Sequence, residues 1–251
     1  MNEKKPIPSN KILLAIQYWN GDRAAALKLA SLLADLEPRH SDLADFLFVA
    51  RFDSSHDQAT INKVARKFNV YSYISQGRGT GWPHGCNDLF LGTIGWFYHK
   101  ASAAQIPNYK AVFTFEADGI PMRRDWIAGL HEAWDRVNSA SKVCQAGAWL
   151  PNGPDDKGTG HINGNCLVTG DLDTVKWMMN LVGGVCINAG WDWLLAPQFK
   201  NRGWSDIPGI RSVWRQRISE KDFLAGMKEK QIWRHGVKDS VGLQLCRKHL
   251  L

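Results

Sequence analysis

Glu116 and Asp118 are the residues with the clearest capacity for chemistry. They stand two positions apart at the end of an apolar run, Val112 to Phe115, and Gly119 and Pro121 follow at once. The run reads as a buried strand. The glycine and proline read as its stop, and Arg123 to Val137 reads as an amphipathic helix. In an open α/β sheet, ligands bind at the carboxyl ends of the strands. Two acids at such an end repel each other unless they hold a cation or a polar ligand. Oxygen ligands of this kind suit Mg²⁺ or Mn²⁺, which usually also take substrate phosphates. The alternative is a capped turn with two solvated acids.

The elements that must position this pair are legible upstream. Lys11 to Gln17, Leu43 to Ala50 and Val70 to Ile74 read as strands, and Asp22 to Leu36 reads as a helix. Ser55 and Gln58 have the spacing of a capping box for a second helix, to about Phe68. A third helix is expected from about Asn87 to Ala101. Strand and helix thus alternate four times before residue 140. That order predicts a mostly parallel, twisted sheet covered by helices on both faces. Residues 1–10 are polar and proline-bearing and read as a loose leader.

Beyond residue 140 the pattern loosens. Val143 to Leu150 and His161 to Val168 read as strands, and Asp171 to Asn180 and Gly190 to Pro197 as helices. Pro151 to Gly160 reads as a mobile loop. The 251 residues suit one α/β domain, with a regular half at about 11–140 and a less regular half at about 141–251.

Composition excludes several classes. No apolar run approaches the roughly 20 residues that span a bilayer, and the start lacks a signal-peptide core. A soluble, cytoplasmic protein is expected. Cys86, Cys144, Cys166, Cys186 and Cys246 are odd in number and contain no Cys-X-X-Cys pair. That argues against a zinc site and a disulfide framework. The formal charge of +7 favours anionic partners without choosing among nucleotides, nucleic acid and membrane surfaces.

Further residues offer binding chemistry. Gln76 to Gly85 holds four glycines, which let backbone approach a ligand. Within it, Arg78 supplies a planar cationic fork for phosphate. The loop is neither a P-loop nor a Rossmann fingerprint, because no Gly-Lys-Ser/Thr follows and the glycine spacing differs. A plain flexible connection is the alternative. His235 and Lys238 form a late cluster in Trp-Arg-His-Gly-Val-Lys. A neutral imidazole can complete a Mn²⁺ shell. Residues 198–238 carry ten lysines or arginines against four acids, interleaved with Trp204, Trp214 and Trp233. Such a segment fits a polyanion such as DNA, or else a solvated helical face or a membrane-surface patch.

The Glu-Ala-Asp triplet at the end of a strand resembles the Asp-X-Asp signature of GT-A-fold glycosyltransferases. The regular first half and irregular second half are similar to the GT-A layout over roughly residues 11–240. The resemblance implies a metal-dependent transfer of sugar from a nucleoside-diphosphate sugar to an acceptor hydroxyl. It assigns Glu116, Asp118 and His235 to the metal and Lys238 to the diphosphate. It assigns Tyr18 or Trp19 and Asn20, at the end of the first strand, to the nucleobase and ribose, with Arg51 and Asp53 beside the nucleoside. Arg78 and Asn87 fall where such enzymes contact the donor, and Asn163 and Asn165 where they line the donor sugar and acceptor. Asp192, flanked by Trp191 and Trp193, corresponds to the base of inverting members, which takes the acceptor proton. Each of these positions also has a plain structural reading, as helix cap, edge packing or surface turn.

Two acceptors are expected from this resemblance and the basic segment: first a hydroxymethylated pyrimidine in phage or viral DNA, acted on in the host cytoplasm, and second a bacterial surface glycan or lipid-linked sugar. A duplex base would have to be flipped out. A nucleotidyltransferase shares the sheet and the acid pair, but its glycine-rich signature with a lysine soon after the first strand is missing. A non-catalytic nucleic-acid-binding protein would need the charge and not the acids at 116 and 118.

Overall fold

The computed structural model describes residues 5–151, 160–185 and 189–251, with backbone alone at 185 and 214–216. Cys186 and most of the Pro151–Gly160 stretch lie outside the described residues. Seven strands form the central sheet. In chain order they are β1 (Ile7–Tyr18), β2 (Ala44–Ala50), β3 (Val70–Ile74), β4 (Pro107–Glu116), β6 (Gln145–Leu150), β7 (His161–Thr169) and β8 (Trp204–Asp206). A separate two-residue strand, β5 (Ile120–Pro121), follows β4. The spatial order is β3-β2-β1-β4-β7-β6-β8. Pairs from β3 through β4 are parallel, and β7 is antiparallel to both β4 and β6. This is the mixed, mostly parallel α/β sheet that the alternating pattern predicts.

β1 shows how the sheet is buried on both faces. Ile12, Leu14, Ile16 and Tyr18 point to one apolar cluster, and Leu13 and Ala15 to the other. The first cluster is covered by α1 (Arg23–Leu36), α2 (Gln58–Val64), α4 (Trp126–Ala140), α8 (Glu220–Lys228) and α9 (Val241–Leu250). The second is covered by α3 (His84–Ser102), α5 (Leu172–Val185), α6 (Trp191–Leu194) and α7 (Ala196–Arg202). The chain therefore crosses one face after β1 and the other face before β4. A crevice opens where such neighbouring strands diverge, here between the carboxyl ends of β1 and β4.

A second, three-stranded sheet stands at that crevice. β10 (Trp233–Val237) lies between β5, antiparallel, and β9 (Ile210–Gln216), parallel. Trp233 is fully buried against Phe113, Phe115 and Trp126. Its indole lies so close to Gly119 that a Cβ there would sit 2.5 Å from the ring. The glycine after Asp118 is thus required by packing.

Several local expectations are corrected. Residues 7–10 are not a leader but the start of β1, with Ile7 to Ser9 in register with Pro107 to Tyr109. Asp57, not Ser55, caps α2, accepting from Thr60 N, and the helix ends at Val64 rather than near Phe68. The expected helix at 190–197 is two short helices, α6 and α7. The strands of the small sheet, of which β9 and β10 lie inside the basic segment, were not anticipated.

Candidate active site

The acids sit where β4 runs out. Glu116 is its last residue, and its backbone N–H donates to Asn165 Oδ1 on β7 at 3.2 Å. Two residues on, the Asp118 carbonyl accepts from Gly236 N (3.1 Å) and Val237 N (2.9 Å) at the end of β10. These bonds bring His235 over the acids. His235 Nε2 lies 3.1 Å from Asp118 Oδ1 and 3.4 Å from Glu116 Oε2. Its other ring nitrogen is 3.1 Å from Ser212 Oγ on β9, which turns Nε2 toward the carboxylates. One ligand atom from each of the three residues lies within 4.8 Å of the others. Lys238 pairs with the second oxygen of Asp118.

The charges balance one another. Burial pulls the His235 imidazole down, but Asp118 and Glu116 outweigh it and lift it to about 9. Burial pushes the Asp118 carboxyl up, but His235 and Lys238 outweigh that and hold it well below the usual range. A cation among these atoms takes the place of the His235 proton, so the donor set fits a divalent ion with mixed oxygen and imidazole ligands.

The acids, His235 and Lys238 line a cleft of about 720 Å³. Asp192 faces the same cleft from the first turn of α6. Its two oxygens accept from Gly164 N and Trp193 N, each at 3.0 Å. Burial pushes its carboxyl up, the His161 charge pulls it down, and the Glu116 charge adds to the rise. Asn163 and Asn165 form the floor between Asp192 and Glu116. Asn163 Oδ1 accepts from Asn165 N at 2.9 Å. The buried Asn165 Nδ2 has no hydrogen-bond partner.

At the β1 end, Trp19 rather than Tyr18 reaches the cleft. Tyr18 is fully buried, with its hydroxyl 2.8 Å from His56 Nδ1. Trp19 is exposed and lies over the Arg51 guanidinium, 5.1 Å from the ring centroid. Arg51 is buried and clamps Asp53 with two hydrogen bonds of 2.8 and 2.5 Å. Arg51 lines the cleft, whereas Asn20 and Asp53 do not. Arg78 sits outside it too, 5.2 Å from the Phe52 ring centroid. Asn87 works behind the wall. Its side chain donates to Ala189 O (3.0 Å) and accepts from Trp191 N (2.9 Å), pinning the turn that carries Asp192.

The glycine-rich loop is built differently from a phosphate cradle. Gly77 and Gly79 pack on the Asp88 side chain, which accepts from Gly79 N at 2.5 Å. Of this loop, Gly81, Trp82 and Gly85 face the cleft. Sequence reading passed over Asp22, Ser212 and Trp82. Asp22 lines the cleft and accepts from Trp19 N at 2.9 Å. Burial, with added repulsion from Glu116 and Asp118, lifts its carboxyl to about 6. Its place before an Ala-rich helix signalled only a cap. The basic residues of 198–238 do not gather here. Among the described residues, Lys238 is the one lysine or arginine of that segment in the cleft wall. Lys200 and Arg202 instead lie over Trp204 and Trp177. Among the described residues, no helix is long and apolar enough to cross a membrane.

No protein-family model and no curated protein matches the chain. Solved structures do. The galactosyltransferase LgtC, in complex with donor and acceptor sugar analogs, is 10% identical with a TM-score of 0.58, over 95% of this chain and 94% of that one. The bifunctional glycosyltransferase WbbM is 10% identical with a TM-score of 0.55, over 94% of this chain. Mouse xyloside xylosyltransferase 1 is 10% identical with a TM-score of 0.52, over 90% of this chain and 97% of that one. The chain spans about half the length of WbbM (47%) and of GlyE from Streptococcus pneumoniae TIGR4 (56%). LgtC, WbbM and xyloside xylosyltransferase 1 are GT-A-type glycosyltransferases, and the chain shares their fold.

Proposed function

We propose that this chain is a metal-dependent glycosyltransferase that moves a sugar from a nucleoside-diphosphate sugar to an acceptor hydroxyl. The observation that carries the reading is the convergence of Glu116, Asp118, His235 and Lys238 with Asp192 in one cleft, at the crevice between β1 and β4. Glu116, Asp118 and His235 would hold Mn²⁺ or Mg²⁺. Such an ion, when bound, neutralises charge on a departing diphosphate.

The chain's own residues supply the rest. Lys238 is more than half exposed beside Asp118, so its ammonium can turn to the diphosphate and stabilise the charge that develops there. Arg51, fixed by Asp53 and covered by Trp19, lends a second cation to the nucleotide end of the cleft. Asn165 Nδ2, buried and unpaired, offers a hydrogen bond to a sugar or phosphate oxygen. The acceptor oxygen attacks the anomeric carbon and forms the new C–O bond. The bond to the diphosphate breaks, with its electron pair leaving on the phosphate oxygen. The acceptor proton passes to Asp192, whose raised affinity for a proton suits a general base. A single displacement of this kind inverts the anomeric centre.

A DNA acceptor finds little in the cleft to hold it, because among the described residues Lys238 is the one lysine or arginine of the basic segment in the cleft wall. The test of the reading is a thermal-shift screen of UDP- and GDP-sugars with and without Mn²⁺. A donor at about 100 times its Kd adds about 2.7 kcal/mol, or about 5–10 °C in a chain of this size. If no nucleotide sugar stabilises the protein with Mn²⁺ present, the reading fails.

A further inference from the structure

Among the described residues, the tryptophans exposed to solvent are Trp19, Trp82 and Trp193. A single exposed indole on an open surface is ordinary, but one that lines a cleft offers its face to a ligand. Trp19 has a partner in Arg51. Trp82 is the most exposed of the three, at 63%, and lines the cleft. It stands beside the turn that carries Asp192. A Cβ added at Gly190 would lie 3.5 Å from Trp82 Nε1 and 2.9 Å from Asp192 Oδ1. A ring stacked on Trp82 would therefore lie near the carboxylate proposed to take the acceptor proton.

Stacking alone suits either a sugar or a nucleobase. The charge of the cleft separates them. Asp22, Glu116, Asp118, Asp192 and Asp239 line it. Against them, among the described residues, stand Lys28, Arg51 and Lys238, with His235. Of these cations, Lys238 and His235 are paired with the acids. A bound cation and a diphosphate would cancel one another, leaving a wall that repels a polyanion. We infer that Trp82 is the stacking residue of the acceptor subsite and that the acceptor is a neutral saccharide presenting the face of a sugar ring.

This inference rests on the glycosyltransferase reading, and one experiment separates the two. Nucleoside-diphosphate release is followed with the donor that stabilises the wild-type chain in Mn²⁺. The acceptor probes are methyl glycosides of common hexoses and a duplex carrying hydroxymethylated pyrimidines. The expected result is faster release with at least one hexoside and not with DNA. Trp82→Ala should then raise the KM for that hexoside about tenfold, with a smaller change in kcat, and Trp82→Phe should restore most of the loss. If no donor stabilises the wild-type chain, the glycosyltransferase reading falls and takes the subsite with it. If a donor binds but DNA alone accelerates release, or no hexoside does, or Trp82→Ala leaves KM unchanged, the inference is overturned while the donor reading stands.

Discussion

Asp192→Asn is the substitution that separates chemistry from folding most cleanly. The carboxylate accepts two backbone N–H groups, from Gly164 and Trp193, each at 3.0 Å. An amide has one oxygen, so with that oxygen turned to Gly164 N the Trp193 N–H keeps only the Gly190 carbonyl, at 3.1 Å, a loss of about 1 kcal/mol. The opposite effect is as real. Burial and the Glu116 charge disfavour the ionised carboxylate, and a neutral amide removes that penalty. The two effects oppose each other, so Tm should move by no more than about 4 °C. Catalysis has no such compensation. Loss of a positioned base lowers kcat by about 10²–10⁴-fold, with the donor KM nearly unchanged. The pH profile gives the sign. The base must be ionised, so wild-type activity falls as pH drops through a pKa above the ordinary aspartate value. Asp192→Asn should lack that acidic limb. The assay is diphosphate release with the active acceptor between pH 5 and 9. A variant that keeps kcat within about threefold, or retains the limb, removes Asp192 from the mechanism.

Other consequences can be measured without a known acceptor. Ser212→Ala frees His235 Nδ1, and loss of such an orienting contact should weaken Mn²⁺ binding about 10–100-fold by calorimetry, whereas unchanged affinity would show that Ser212 does not orient the ring. Gly236 has φ +90 and presents its N–H to Asp118. Gly236→Ala should cost about 1–3 kcal/mol, seen as a Tm loss of several degrees and weaker Mn²⁺ binding; a Tm equal to wild type contradicts the strain. Burial lifts Glu37 from 4.5 to about 6, with Lys67 pulling the other way. An acid with a raised folded-state pKa binds its proton more tightly when folded, so stability is lost as pH rises from about 4.5 through 6. Glu37 is partly solvated, which limits the effect to about 1 kcal/mol. Glu37→Gln should therefore raise Tm at pH 8 and leave it unchanged at pH 4, and the reverse pattern would show that the carboxyl is stabilised when charged.

How far the sequence carried the argument depends on how local each feature is. Val70 to Ile74 is predicted to the residue, because an apolar strand between polar turns is a local signal. Glu116 and Asp118 stood out because an apolar run ended in charge. The choice between Tyr18 and Trp19 was not local. Ile12 to Ile16 is apolar on both faces, so side-chain alternation cannot say which neighbour points inward. Pairing with β2 and β4 decides it, and Tyr18 goes to the core. β5 has two residues, too few for any period, and β10 is fixed by hydrogen bonds to Asp118 more than a hundred positions away. The pairing of His235 with the acids was therefore expected from resemblance and not from pattern. The basic segment misled for a related reason. Net charge is a sum over sequence, whereas a docking face is a place, and here the cations spread over α7, β9 and α8.

The most direct test of the central claim is a crystal grown with Mn²⁺ and a nucleoside diphosphate, read by the anomalous signal of the metal. The account predicts one strong peak within about 2.3 Å of oxygen atoms of Glu116 and Asp118 and of His235 Nε2, with the diphosphate on its open side. A peak bound elsewhere, or density for the nucleotide with His235 still paired to both carboxylates, would contradict it.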